Sequence, residues 1–209
     1  MNLDLYVVTD ETVAGGRAHE EIARMALTGG ADVIQLRDKR MSGRKLLRTG
    51  RSISALTKAS GALFMVNDRL DIALACGADG VHLGQGDLRV DTARQLAPRN
   101  FIIGVSVGSV EEARSAFAEG ADYVAVSPVF ATTSKNNAGT GHGLALIRRI
   151  RQETRAPVIA IGGIDETNVR EVLSAGADGV AVISAVVGRQ DIEKAARNIR
   201  EIIREAKIR

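Results

Sequence analysis

The 209 residues carry a formal net charge of +3, with 45% hydrophobic and 25% charged residues, 3% aromatics and no tryptophan. That composition can fill a globular core, and it argues against an aromatic platform for single-stranded bases. The charge excess is small and dispersed, no run reaches the ~18 apolar residues of a membrane span, and neither nucleic acid nor membrane is an expected partner. Cys76 stands alone, so no internal disulfide can form. The start MNLDLYVVTD lacks the basic-then-apolar pattern of a secretion signal, and a cytoplasmic location is expected.

Taken in chain order, the first apolar run is Leu5–Val8, and a helical pattern with His19 on its surface follows. That pattern ends at Gly30-Ala31-Asp32, and the run Val33–Leu36 comes next. Ala62–Val66 is the third run. A second helix-closing Gly77-Ala78-Asp79 precedes Gly80–Leu83. Phe101–Val105 leads to a capping box at Ser109 and Glu112, then to Gly120-Ala121-Asp122 and Tyr123–Val126. Pro157–Ile161 leads to Gly176-Ala177-Asp178 and the run 179–183. The last helix starts near Asp191 and sets Ile192, Ala195, Ala196, Ile199, Ile202 and Ile203 on one stripe.

Gly-Ala-Asp thus recurs four times. Glycine suits the left-handed residue that closes a helix, and the run after it suits a buried parallel strand. Eight strands alternating with helices fit an open doubly wound sheet or a closed barrel. A repeat in every second unit closes more naturally, so a single-domain (β/α)₈ TIM barrel over residues 1–209 is predicted.

Chemistry in such a barrel belongs after the strands. Alternation puts Gln35, Arg37 and Lys39 on one side, where an amide and two cations could hold a diphosphate. A solvated charged loop is the other reading. Asn67-Asp68-Arg69 follow the third run, and Asp87 follows the fourth. Two carboxylates at neighbouring strand ends suit Mg²⁺, whereas a helix N-cap for Asp68 and a loop turn for Asp87 are the plainer readings. Ser106 follows the fifth run. After the sixth, residues 127–135 and 139–143 offer hydroxyls, Lys135 and glycines, as an anion-binding lid or a surface loop. Gly162-Gly163 and Ile183-Ser184 end the seventh and eighth runs, the usual barrel phosphate position. His82 reads as a packed core residue, His142 as a minor candidate and Cys76 as buried. The residues by themselves give two anion sites for two small phosphorylated substrates over one barrel mouth. They leave the oligomeric state open, a homo-oligomer included.

Leu5–Asp10, Gln35–Lys39, Asn67–Arg69, Gly80–Gln85, Gly104–Ser106, Pro128–Phe130, Thr132–Lys135 and Ile161–Ile164 together make the chain resemble the thiamine-phosphate synthase (thiamine-phosphate pyrophosphorylase) family over nearly its whole length. The resemblance implies a transferase. It would join 4-amino-5-hydroxymethyl-2-methylpyrimidine diphosphate to a thiazole phosphate, with Mg²⁺, and release pyrophosphate. By this resemblance Gln35, Leu36, Arg37, Asp38, Lys39, Asn67, Ser106 and Lys135 hold the pyrimidine diphosphate. Asp68 and Asp87 bind the metal. Thr132, Thr133, Ser134, Gly163, Ile183 and Ser184 receive the thiazole phosphate. Arg37, Lys39 and Lys135 stabilise the leaving diphosphate in a dissociative displacement. Gly86 and Gly108 depart from the family's usual acidic residue and histidine. The related thiazole tautomerase and a non-catalytic sensor of a phosphorylated ligand are the alternatives.

Overall fold

A computed structural model describes residues 1–131 and 141–208. The eight apolar runs become parallel strands β1 (Leu5–Val8), β2 (Val33–Leu36), β3 (Leu63–Asn67), β4 (Gly80–Leu83), β5 (Ile102–Val107), β6 (Tyr123–Val126), β7 (Val158–Ile161) and β8 (Gly179–Val182). They pair in sequence order, and β8 pairs back onto β1, which closes the barrel. The helices are α1 (His19–Thr28), α2 (Gly43–Ser60), α3 (Leu70–Cys76), α4 (Val90–Leu96), α5 (Val110–Ala118), α6 (Gly143–Glu153), α7 (Val169–Ser174) and α8 (Ile192–Lys207). The predicted TIM barrel is the fold. Among the described residues no helix is long and apolar enough to cross a membrane.

Two strand ends differ from the expectation. β3 includes Asn67, and β5 runs on through Ser106 and Val107, which pair with Ala125 and Val126 of β6. Ser106 therefore lies within a strand rather than after it. Hydrophobicity could not show this, because the ladder continues wherever a polar inward side chain finds a partner, and Ser106 finds one in His82. His19 is a larger correction. It opens α1, yet its side chain is wholly buried and bonds Thr9. Helical periodicity alone does not register that the β1–α1 loop folds back over this turn.

Strand alternation sorts the core into two layers. Tyr6, Val8, Val33, Met65, Tyr123, Ala125, Ile159 and Ala181 fill the barrel interior. Leu5, Val7, Ile34, Leu36, Phe64 and Val66 face the helices. α8 presents its expected stripe, with Ile192, Ala195, Ala196, Ile199 and Ile203 buried and Asp191 capping the Lys194 N–H. Ser109 caps α5 by accepting the Glu112 N–H. Glu112 returns its carboxylate to the Gly108 N–H at 2.6 Å, one residue before the cap.

The Gly-Ala-Asp repeat joins neighbouring units at the base of the barrel. Each glycine has positive φ, from 69° at Gly77 to 107° at Gly176. Each aspartate then closes two bonds onto one residue of the preceding strand. The Asp122 N–H donates to the Ile103 carbonyl at 2.8 Å, and its Oδ2 accepts the Ile103 N–H at 2.7 Å. Asp32 with Leu5, Asp79 with Phe64 and Asp178 with Val158 repeat the pattern. Arginines add a further tie: Arg94 donates to both Gly120 O and Asp122, Arg151 to Gly176 O and Asp178, and Arg200 pairs with Asp32. Asp122→Ala leaves the Ile103 N–H without its side-chain acceptor. A loss of about 1–3 kcal/mol in urea unfolding is expected, against no change if the carboxylate only decorates the surface.

Candidate active site

The C-terminal ends of β2, β3 and β4 bring the charged residues together. β2 ends at Leu36, and Arg37 to Lys39 form the start of the β2–α2 loop. Gln35 points into the barrel and is buried. Arg37 donates to Asp10 Oδ2 at 3.2 Å, and both side chains are mostly covered. Lys39 reaches Asp68 Oδ2 at 3.5 Å. Leu36 and Asp38 do not join them. Leu36 packs outward against the helix layer, and Asp38 turns to His19 and to the Arg40 and Met41 N–H groups. Any contact these two make with a diphosphate at the mouth would come from their backbone rather than from these side chains.

Asp68 is the one non-glycine residue with positive φ among the described residues, at 61°. The Arg69 N–H donates to the Asn67 carbonyl across it at 2.7 Å. This is the γ-turn hand that strains an L-residue, a conformation costing on the order of 1–3 kcal/mol. The helix cap falls instead on Arg69, so Asp68 is not an N-cap. The Asp68 N–H is held by the His82 carbonyl at 2.9 Å, which ties the strained turn to β4. Asp87 closes a turn by accepting the Gly84 N–H at 2.7 Å. The turn reading of Asp87 thus holds for one of its oxygens. Burial, then the Asp87 carboxylate beside it, raise the Asp68 pKa, with Lys39 opposing them. A second carboxylate that disfavours the Asp68 charge fits a cation between the two, so Asp68 and Asp87 could hold Mg²⁺. Gly86 would meet nothing within 4 Å if it carried a Cβ, so the space beside Asp87 is open.

Below the mouth runs a buried polar chain. Gln35 Nε2 donates to Tyr6 Oη at 2.6 Å, Tyr6 Oη meets Tyr123 Oη at 3.1 Å, Tyr123 Oη meets His82 Nδ1 at 2.9 Å, and His82 Nε2 meets Ser106 Oγ at 2.9 Å. Protons running from Gln35 to Ser106 satisfy every member. Burial pushes both phenols above their usual range, so they stay neutral hydroxyls. The chain joins two predicted substrate residues, Gln35 and Ser106, through Tyr6, Tyr123 and His82. Tyr6 and Tyr123 went unnoticed in the sequence, where each sits in a run that reads as plain core. The available signal was that the chain's two tyrosines both fall at inward-facing positions. His82 is the hydrogen-bonded core histidine that was expected.

Across the mouth, Ser127, Pro128, Gly162, Gly163, Ile183 and Ser184 line a small pocket over β7 and β8. Gly162 and Gly163 have φ of 106° and 64°, and a Cβ on either would strike Pro128 or the Ala131 carbonyl within 2.7 Å. Only glycine brings this backbone so close to the β6–α6 segment. Beyond β8 a turn bonds the Val186 and Val187 N–H groups to the Ile183 carbonyl, so the Ser184 and Ala185 N–H groups lie at its open end. Backbone N–H groups of such a turn could receive an anion. Ile183 is buried in the floor and Ser184 is exposed at the rim. Thr132, Thr133, Ser134 and Lys135 lie outside the described residues. His142 Nε2 sits 3.0 Å from where a Gly108 Cβ would be, beside the end of β5.

A family model described as thiamine monophosphate synthase matches residues 5–186. The chain is 64% identical to a thiamine-phosphate synthase of Methanoregula boonei over 99% of its own length and 96% of that protein's. It is 50% identical to one from Moorella thermoacetica, over 98% and 97%. A solved thiamine phosphate pyrophosphorylase from Pyrococcus furiosus superposes with a TM-score of 0.91 at 45% identity, covering 98% of this chain and 96% of that one. A match along nearly the whole chain, on the barrel whose mouth carries these residues, makes this protein an enzyme belonging to the thiamine monophosphate synthase family.

Proposed function

We propose that this enzyme condenses the pyrimidine diphosphate with a thiazole phosphate, releasing thiamine phosphate and pyrophosphate. One observation carries the reading: a single barrel mouth holds a cation-and-carboxylate cluster over β2–β4 and a glycine-and-serine pocket over β7–β8. Two phosphorylated groups can be held apart there, with the Gln35–Ser106 chain as the floor between them.

Arg37, braced by Asp10, and Lys39 bind the departing diphosphate and stabilise its growing charge. Asp68 and Asp87 would hold a Mg²⁺ ion, whose chemistry would be further charge neutralisation of the leaving diphosphate. Asn67, Gln35 and Ser106 orient the pyrimidine, and the neutral phenols of Tyr6 and Tyr123 keep its pocket uncharged. The bond from the pyrimidine methylene carbon to the diphosphate oxygen breaks, and the oxygen keeps the electron pair. The thiazole nitrogen then attacks that carbon, positioned by its phosphate at Gly163, Ile183 and Ser184. By the resemblance Thr132, Thr133 and Ser134 would bind the thiazole phosphate and Lys135 the leaving diphosphate; all four lie outside the described residues. No proton transfer to a side chain is required. The enzyme acts in the cytoplasm.

The deciding experiment is pyrophosphate release from the two substrates with and without Mg²⁺. Release only with both substrates and the metal is expected. No release under any condition would leave the tautomerase or the sensor. Lys39→Ala is expected to lower kcat/KM by about 10²-fold, with the larger part in kcat, since the charge it meets develops as the bond breaks. An unchanged kcat would remove Lys39 from the leaving-group site.

A further inference from the structure

We propose that Glu11, His19 and Asp38 form a second cation site, suited to a transition-metal ion such as Zn²⁺ and separate from the Asp68–Asp87 pair. The three come from different segments: the β1–α1 loop, the first residue of α1 and the β2–α2 loop. One ligand atom of each lies within 4.8 Å of the other two. His19 Nε2 is 3.4 Å from Asp38 Oδ2 and 3.9 Å from Glu11 Oε1. Ligands bound to zinc at about 2.0–2.1 Å in tetrahedral geometry stand roughly 3.3–3.4 Å apart. The histidine–aspartate edge already has that length, and the glutamate oxygen lies 3.9 Å from His19 Nε2.

The histidine contacts have the form of a ligand set. His19 Nδ1 lies 2.7 Å from Thr9 Oγ1, and Nε2 faces the carboxylate oxygens of Asp38 and Glu11. With Nδ1–H donating to Thr9, a neutral ring turns its Nε2 lone pair to the two carboxylates, and a bound cation takes the place of the proton that otherwise bridges Nε2 and Asp38. The Thr9 contact is also the kind of hydrogen bond that fixes the ring of a metal-ligating histidine.

The remaining groups are already committed. Asp38 Oδ1 accepts the Arg40 and Met41 N–H groups at 2.7 and 2.8 Å, which leaves Oδ2 for the site. Burial raises the Asp38 carboxyl, but the Arg40 and Met41 N–H groups, joined by a protonated His19 when no ion is bound, hold its pKa below the ordinary value. The Arg37 guanidinium is taken by Asp10, and Arg40 by Thr12. His19 is wholly buried, while Glu11 is 28% exposed and leaves a face for a water ligand. An imidazole with two carboxylates suits zinc, cobalt or nickel better than Mg²⁺. Asp38 lies between Arg37 and Lys39, so an ion here would pin the loop that carries both.

The test is calorimetric titration of the full chain with Zn²⁺ in saturating Mg²⁺, with Co²⁺ as a visible-spectrum reporter. We expect one ion per chain and a tetrahedral Co²⁺ spectrum. His19→Gln and Glu11→Gln should each weaken binding by about tenfold or more, and Asp68→Asn should leave it unchanged. Glu11 is at the surface, so its variant keeps the test alive if His19→Gln fails to fold. The proposal is overturned if no Zn²⁺ binds once Mg²⁺ is saturating, or if both ligand variants bind as the parent does. It is equally overturned if nitrogen NMR shows His19 doubly protonated at neutral pH and indifferent to Zn²⁺.

Discussion

Asp68→Asn is expected to lower pyrophosphate release at saturating substrates by about 10²–10³-fold, and yet to raise the melting temperature at neutral pH in the absence of Mg²⁺. The second effect follows from the carboxyl's environment. Burial and then the neighbouring Asp87 raise its pKa on folding, and Lys39 only partly offsets them. A carboxyl raised in this way favours the folded state at pH below its unfolded value, ~4. That advantage is lost as pH rises through the folded value. At neutral pH the metal-free pair therefore works against folding, whereas near the unfolded value the variant and the parent should melt alike. Asparagine tolerates the φ of 61° at this position better than most residues, so the backbone stays in place. Mg²⁺ should stabilise the parent and leave the variant nearly unmoved. A variant that melts below the parent at neutral pH without Mg²⁺, or that turns over normally, would show that the two aspartates are not a cation pair.

A large structural effect is expected at Gly104. A Cβ there would lie 2.0 Å from Tyr123 Cζ and 2.3 Å from its hydroxyl. The ring cannot withdraw easily. Its centroid is 6.3 Å from that of Tyr6 and 5.7 Å from that of His82, and its hydroxyl bonds both neighbours. Overpacking a core typically costs 1–3 kcal/mol, and moving this ring also strands buried polar partners at about 1–3 kcal/mol each. Gly104→Ala should therefore lose roughly 3 kcal/mol or more in denaturant unfolding, and weaken binding of the pyrimidine diphosphate. Tyr123→Leu in the same chain makes room for the methyl group. The double variant should be more stable than the two single losses predict when added. Simple additivity would mean that Gly104 and Tyr123 do not constrain each other.

Much of the candidate site was legible because it sits at strand ends, and strand ends are marked locally. Arg37, Lys39, Asp68 and Asp87 each follow a run of buried residues, and the structure does gather them over β2–β4. Gly162, Gly163 and Ser184 come together over β7–β8 in the same way. Leu36 and Asp38 are placed with their neighbours by the resemblance; in the fold the Leu36 side chain faces the helices and the Asp38 side chain turns to His19, Arg40 and Met41. Thr132 to Lys135 stay tied to the resemblance, since they lie outside the described residues.

The sequence by itself determined the eight strands, their order and the helix-closing glycines. These depend on short-range physics, namely a continuous apolar run for a strand buried on both faces, and a residue free to take positive φ where a helix ends. Only the tertiary structure decided who meets whom inside the barrel. Tyr6 and Tyr123 are 117 residues apart and touch because closure brings opposite strands across one interior. Their link to Gln35, His82 and Ser106 follows from that closure. His19 belongs to the same category. Its helix turn looks like surface, and becomes core only when two loops fold over it and set Asp38 and Glu11 against its ring.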